Sequence, residues 1–290
     1  MHLKGGANVE LILIFMWPVV AALFASLAFS WLGVNVVAED RSLKVLCIAQ
    51  GASQGALIYL LVAHLMHFHV DGGLMTKYVG LLFSLFFGWA TGLIVDNVSQ
   101  RVHEKSSVIL SIFLVLLSFN HLFSSAFPAL ENHMSQMFFG DLATMMNHEA
   151  YVLCAAFILL SFWLWGKRRI NLNRSFELTV LGEQRASGGL LVSLMVAIGV
   201  QFLGFLFTAA LIVVPTVLVR MASPSGLNQH YALVALVSCT GALAGFLISI
   251  LNSHIPTVPM IVLLVCLLGG MVTLVKRGHR YIRQHASNLE

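Results

Sequence analysis

Residues 188–219 read GGLLVSLMVAIGVQFLGFLFTAALIVVPTVLV. No charged side chain interrupts the run, and its interior breakpoints are Gly199, Gly204 and Pro215. As one straight helix it would measure about 48 Å at 1.5 Å per residue. A bilayer's hydrocarbon core is only about 30 Å thick. The run therefore splits near Gly204 into two shorter helices, one going out and one coming back.

The rest of the chain has the same character. Of 290 residues, 59% are hydrophobic and 10% charged, and the mean hydropathy is +0.90. Soluble domains carry about 25% charged residues, so a large water-soluble enzyme is excluded, as are disordered and collagen-like chains. Further apolar runs cover 11–38, 45–66, 79–95, 107–127, 150–166, 231–251 and 258–275. The first is longer than a signal-peptide core and lacks a small-residue cleavage region, so it reads as a retained helix. The expected fold is all-α: a polytopic helical membrane protein with nine transmembrane helices, or eight if one segment is re-entrant. A single transmembrane domain covers 1–290, with a polar loop at about 170–187.

Charge placement gives the orientation. There are 16 Lys and Arg against 12 Asp and Glu, and the pI is about 9.0. The basic residues form short clusters between apolar runs without interleaved aromatics, a pattern of membrane orientation and not of nucleic-acid binding. Under the nine-span threading every Lys and Arg except Lys4 and Lys77 falls on one side, which the positive-inside rule makes cytoplasmic. The C-terminus is then cytoplasmic. Cys47, Cys154, Cys239 and Cys266 lie in separate apolar runs without ligand spacing, as small buried hydrophobes do. Gly51/Gly55, Gly88/Gly92 and Gly241/Gly245 are GxxxG pairs, which either pack helices closely or provide an interface that moves.

No Walker-type GxxxxGK[ST], Rossmann glycine pattern, HExxH or nucleophile motif occurs, so no ATP hydrolysis or other enzymatic activity is expected of this chain. A channel, a secondary transporter, a membrane scaffold or the permease of a multi-chain pump remains. His64, His67, His69, His121, His133, His148 and His254 fall on the external side, with Asp71, Glu131, Asp141 and Glu149. Imidazole with carboxylate suits Zn²⁺ or Mn²⁺. His64, His67, His69, Asp71, His133 and Asp141 are therefore metal candidates, the alternative being an ordinary polar membrane surface. On the cytoplasmic side, residues 173–183 place Phe176, Leu178 and Leu181 among polar residues beside Gly182. A short amphipathic helix there would dock into a groove of a soluble partner or lie on the membrane.

Several stretches carry a resemblance. Phe176-Glu177 through Leu181-Gly182 resembles the coupling segment F-D-x-E-x-A-x-x-L-G of metal-importing ABC permeases. Gly204 through Pro215 resembles that family's G-x-L-L-x-x-A-L-L-I-x-P run. Phe139-Gly140-Asp141-Leu142 resembles F-G-[DN]-I-L, and Ile255-Pro256-Thr257-Val258-Pro259 resembles L-P-x-G-P. Leu32-Gly33-Val34 through Gly55 resembles L-G-x-F-V-V…S-H-A. These stations occur in order over nearly the whole chain.

The resemblance implies a dimeric permease in a bacterial inner membrane, working with two ABC ATPase subunits and a periplasmic metal-binding protein. Its cargo would be Zn²⁺, Mn²⁺ or Fe²⁺, zinc first, with no cofactor bound by this chain. Phe176, Glu177, Leu178, Leu181, Gly182 and Glu183 would couple it to the ATPase, and alternating access would follow ATPase closure. An ion-coupled secondary transporter or a non-transporting scaffold is the alternative.

One departure stands out. Relatives carry G-D-x-x-S-H-A on the second helix, with Asp and His as intramembrane ligands. The same positions here are Ala49, Gln50, Gly51, Ala52, Ser53, Gln54 and Gly55. Neutral amides make a poor site for a dehydrated divalent cation. Gln50, Ser53 and Gln54 would line a weakly binding pathway, pack helices, or mark a different cargo.

The threading is tested by labelling. In a cysteine-free background, a cysteine at position 172 is expected to react with a membrane-impermeant maleimide only from the cytoplasmic side. Labelling from outside intact cells would end this topology.

Overall fold

The computed structural model describes residues 4–66, 74–99, 104–127, 131–140, 142, 145–170, 173, 189–222, 226–252 and 254–287, with helices and no strand among them. The helices are α1 (Lys4–Ala38), α2 (Ser42–Leu65), α3 (Leu74–Ser99), α4 (Lys105–Ala126), α5 (Glu131–Phe139), α6 (Asn147–Gly166), α7 (Gly189–Leu203), α8 (Phe205–Met221), α9 (Leu227–Leu251) and α10 (Thr257–Ser287). Among the described residues, seven stretches are long and apolar enough to cross a membrane: Phe15–Ala38, Ser42–Leu65, Lys77–Ser99, Lys105–Phe123, Asn147–Gly166, Leu227–Leu251 and Thr257–Lys276. The protein is an all-α polytopic membrane protein. The long apolar run breaks at Gly204, giving α7 and α8 of 15 and 17 residues, both short of a full bilayer crossing. The short α5, in a stretch of mixed polarity, has no counterpart in the apolar pattern.

The chain gathers into two compact units, one of residues 38–144 and 172–209, the other of 1–37, 145–171 and 210–290. In the first, α2 and α3 are antiparallel and interdigitate through glycine. A Cβ on Gly51 would fall 2.8 Å from the Thr91 Cβ, and one on Gly55 2.8 Å from the Phe83 carbonyl carbon. On the facing helix, Cβ atoms at Gly88 and Gly92 would meet Ala52 and Ile48 at 3.3 Å. In lipid the solvent is as apolar as the side chains, so close backbone packing replaces the hydrophobic effect as the cohesive force. The α4 helix runs parallel to α2, since Cys47 and Gln54 of α2 bond the carbonyls of Ile109 and Leu116.

The second unit preserves the senses of its helices in its side-chain pairs. Trp17 meets Tyr151 at 4.3 Å and Trp31 stacks on Trp165 at 5.0 Å, so α1 and α6 are parallel. Thr216 donates to the Ser30 carbonyl at 3.3 Å and Arg220 to that of Val37 at 3.2 Å, so α8 is also parallel to α1. The α9 helix is antiparallel: Trp31 donates to the Tyr231 carbonyl and Cys239 lies against that of Leu23. Gly241 and Gly245 seat α9 on Val265 and Ile261 of α10.

The break at Gly204 rests on a second glycine. Gly204 and Gly140 have φ of +91° and +78°, a region L-residues avoid. A Cβ on Gly204 would fall 2.5 Å from the Gly140 Cα, and one on Gly140 would reach 2.6 Å from the Leu203 carbonyl carbon. Each glycine therefore serves both backbone conformation and contact. Gly204→Ala is expected to cost about 1–3 kcal/mol, read as a lowered thermal midpoint in detergent. Gly166→Ala, where a Cβ meets nothing within 4 Å, is expected to leave the midpoint unchanged.

Candidate functional site

The middle of α2 carries the polar residues singled out from the sequence. Gln50, Ser53 and Gln54 are all buried, Gln50 with 1% and Gln54 with 8% of its surface exposed. They lie within one helical turn, with Gln50 and Gln54 four apart on one face. The two amides differ sharply. The Gln54 amide nitrogen donates to the Leu116 carbonyl at 2.8 Å and so ties α2 to α4. Neither the oxygen nor the nitrogen of the Gln50 amide has a partner among the described residues. An unpaired buried amide costs about 1–3 kcal/mol by mutational measures, so Gln50 is held against a standing penalty. In the same unit, the buried Ser193 and Thr208 hydroxyls also have no partner among the described residues, whereas Ser84 donates to the Gln201 amide oxygen at 3.2 Å.

The metal candidates are less well placed. His64 is exposed in the last turn of α2, and His133 is half-buried on α5. No group of three or more His, Cys, Asp or Glu side chains is gathered in a metal-holding arrangement among the described residues. His67, His69, Asp71 and Asp141 lie outside the described residues, as do Phe176, Glu177, Leu178, Leu181, Gly182 and Glu183. Glu149 is buried at the start of α6, where its carboxylate accepts a bond from the Met146 N–H at 3.4 Å.

One charged pair escaped the sequence reading. Lys44, which the charge pattern assigns to the polar link after the first run, is 6% exposed. Its ammonium donates to both Asp96 carboxylate oxygens at 2.6 Å. The pair closes the end of the α2–α3 seam. Its signal was available in the threading, which puts the start of the second run and the end of the third on the same side. A lysine and an aspartate at those positions neutralise one another where α2 and α3 meet.

These helices and buried polar positions define a polytopic membrane protein with an uncharged polar patch inside one of its units. No family model matches the chain, and no curated protein does. Among solved structures, PsaBC from Streptococcus pneumoniae, determined in complex with a Fab, has the same fold. The TM-score is 0.73 over 97% of this chain and 99% of that chain, at 12% identity.

The standing penalty at Gln50 is measurable. Gln50→Leu keeps the side-chain size and removes the unpaired amide, so it is expected to raise the thermal midpoint by the equivalent of about 1–3 kcal/mol. Gln54→Leu removes the donor that bonds the Leu116 carbonyl and is expected to lower it. A destabilised Gln50→Leu would mean that its amide is satisfied after all.

Proposed function

We propose that the chain is the membrane-spanning permease subunit of an ABC importer for a divalent transition metal, zinc first, with manganese and iron as the other cargoes. What carries this reading is the agreement of two independent features: a fold shared with PsaBC over nearly the whole of both chains, and an ordered run of motifs that resembles the metal-importing permeases. The shared architecture supports a metal ABC permease at the level of the fold. On this reading two such permeases form a homodimer in a bacterial inner membrane. Separate ATPase subunits bind cytoplasmic segment 176–183 and drive alternating access, and a periplasmic metal-binding protein delivers the ion. ATP is hydrolysed in the partner chains and not in this one.

The ion's route passes Gln50 and Gln54. With no carboxylate there, a bare divalent ion would keep its full charge in a low-dielectric region, which is costly. Binding on the path is therefore weak, and the ion is collected first by the outer histidines and acids. The Gln50 amide, unpaired among the described residues, is free to offer its oxygen to a passing ion that keeps some of its water.

The test is reconstitution of the permease with its co-encoded ATPase and binding protein in vesicles. Zn²⁺-stimulated ATP hydrolysis and Zn²⁺ uptake are expected. Gly182→Trp is expected to leave insertion intact and to abolish ATPase recovery. Gln50→Asp combined with Gln54→His is expected to create measurable metal affinity in the isolated permease. Absence of stimulation by Zn²⁺, Mn²⁺ and Fe²⁺ alike would sink the assignment, and submicromolar Zn²⁺ binding lost in Gln54→Ala would sink the weak-path argument.

A further inference from the structure

The chain leaves α6 through Trp163-Leu164-Trp165-Gly166-Lys167-Arg168-Arg169. Here the side chains are arranged around the two indoles. The Arg168 guanidinium lies 3.9 Å from the Trp165 ring centre, and the Lys167 ammonium 5.0 Å from that of Trp163. Arg168 is fixed further by bonds from Nε to the Asn228 side-chain oxygen at 3.2 Å and from Nη1 to the Trp165 carbonyl at 3.0 Å. Those bonds use two of the five donors of a guanidinium, so the planar fork retains donors in a fixed direction. Arg169 is exposed beside it.

Basic side chains gather at this end of the unit. Arg220 and Lys276 stand close enough to His230 for their charges to act on its ring. By sequence the unit holds three acidic residues, Glu10, Glu149 and Glu290, and Glu149 sits at the opposite end of α6. Toward the membrane interior the same helix exposes Leu159 and Phe162, at 72% and 73%, and then Trp163. An apolar, outward-facing stripe thus ends at the Trp163 indole beside three cations, with Trp165 packed inward on Trp31 and under Arg168.

We propose that Lys167, Arg168 and Arg169, with Trp163 and Trp165, form a binding site for the headgroup of an anionic phospholipid, whose acyl chains lie along Leu159 and Phe162. Indole rings favour headgroup depth, and each cation at an anionic surface adds attraction. A planar guanidinium matches a phosphate diester better than an ammonium does. The apolar stripe distinguishes a lipid from a free phosphate, which would use only the cations. It also distinguishes a lipid from an acidic protein, which would not need an acyl path within a membrane span.

Native mass spectrometry of the full chain, offered equal amounts of phosphatidylglycerol and phosphatidylcholine, tests the site. Preferential retention of phosphatidylglycerol by about tenfold or more is expected. The combined variant Lys167→Gln, Arg168→Gln, Arg169→Gln is expected to lose that preference, while Lys105→Gln keeps it. Should the combined variant fail to fold, Arg168→Lys alone retains the charge and is expected to lose part of the preference. Brominated phosphatidylglycerol is expected to quench tryptophan fluorescence in the native chain more than in Trp163→Phe. Equal retention of the two lipids, or an unchanged preference in the substituted chains, would overturn the proposal. So would inorganic phosphate alone displacing the retained phosphatidylglycerol, or loss of ATPase-partner binding in the combined variant with phosphatidylglycerol retention intact.

Discussion

Backbone approach through residues without side chains is the constraint on which the rest of the structure depends. Lipid offers no hydrophobic force to hold one apolar helix against another, so cohesion comes from dispersion contacts and from polar bonds between helices. Dispersion falls steeply with distance, and only glycine, alanine and serine let two helix axes come close. Gly51 and Gly55 accept the α3 surface, Gly88 and Gly92 accept that of α2, and α1 is buried through Ala21, Ala22, Ala25, Ser26 and Ala28. The Gly140–Gly204 contact belongs to the same economy, with the added demand that both residues sit at positive φ. Larger side chains are thereby displaced to the outside. Leu110, Leu114, Val115, Phe119 and Leu122 of α4 are all exposed, as befits a helix whose outer face meets acyl chains.

Polar groups inside such a structure are held to a stricter account than in water. The Lys44–Asp96 pair satisfies itself at the end of a seam, Tyr231 reaches the Asn35 side-chain oxygen at 3.2 Å, and Thr273 donates to the Leu218 carbonyl at 2.8 Å. Each joins two helices and removes a desolvation cost at the same time. Gln50 does neither. It is as deeply buried as any of them, yet both amide atoms lack partners among the described residues. A purely structural role would favour leucine at that position, because an apolar side chain of similar size avoids the penalty. This asymmetry between Gln50 and Gln54 is the observation on which the proposed pathway along α2 rests.

Much of the fold was legible because its signal is one of length. Every long apolar run became a helix, and the 188–219 run broke at Gly204, because bilayer thickness and helical rise leave few alternatives. The α5 helix was not legible: Glu131 to Phe139 is short and of mixed polarity, and neither span length nor strong periodicity marks it. The Gly140–Gly204 partnership was out of reach for a different reason. Both glycines stand in stretches singled out for resemblance, but local sequence contains no register between residues 64 positions apart. The Lys44–Asp96 pair was half legible, since the threading puts both on one side without bringing them together. The division between a bonded Gln54 and an unpartnered Gln50 depends on which way α4 turns its backbone at Leu116, and no pattern in α2 records that.

The contacts around α2 also differ in kind from one side to the other. Against α3 it is held at one end by an ion pair, in the middle by reciprocal glycine packing, and further along by Tyr59 against Phe83 at 5.6 Å. Against α4 the bonds are the Gln54 amide at 2.8 Å and the Cys47 thiol at 3.3 Å, the second a weak donor. Separating α2 from α3 would expose a charge pair and open voids along the seam, each penalised heavily. Separating α2 from α4 would release one good hydrogen bond, worth about 0.5–1.5 kcal/mol net. The stiff seam therefore fixes the direction of Gln50, and the loose one sets how readily its neighbour Gln54 is freed. With both amides on one face of α2, the energy separating one available amide from two is set by the bond to Leu116.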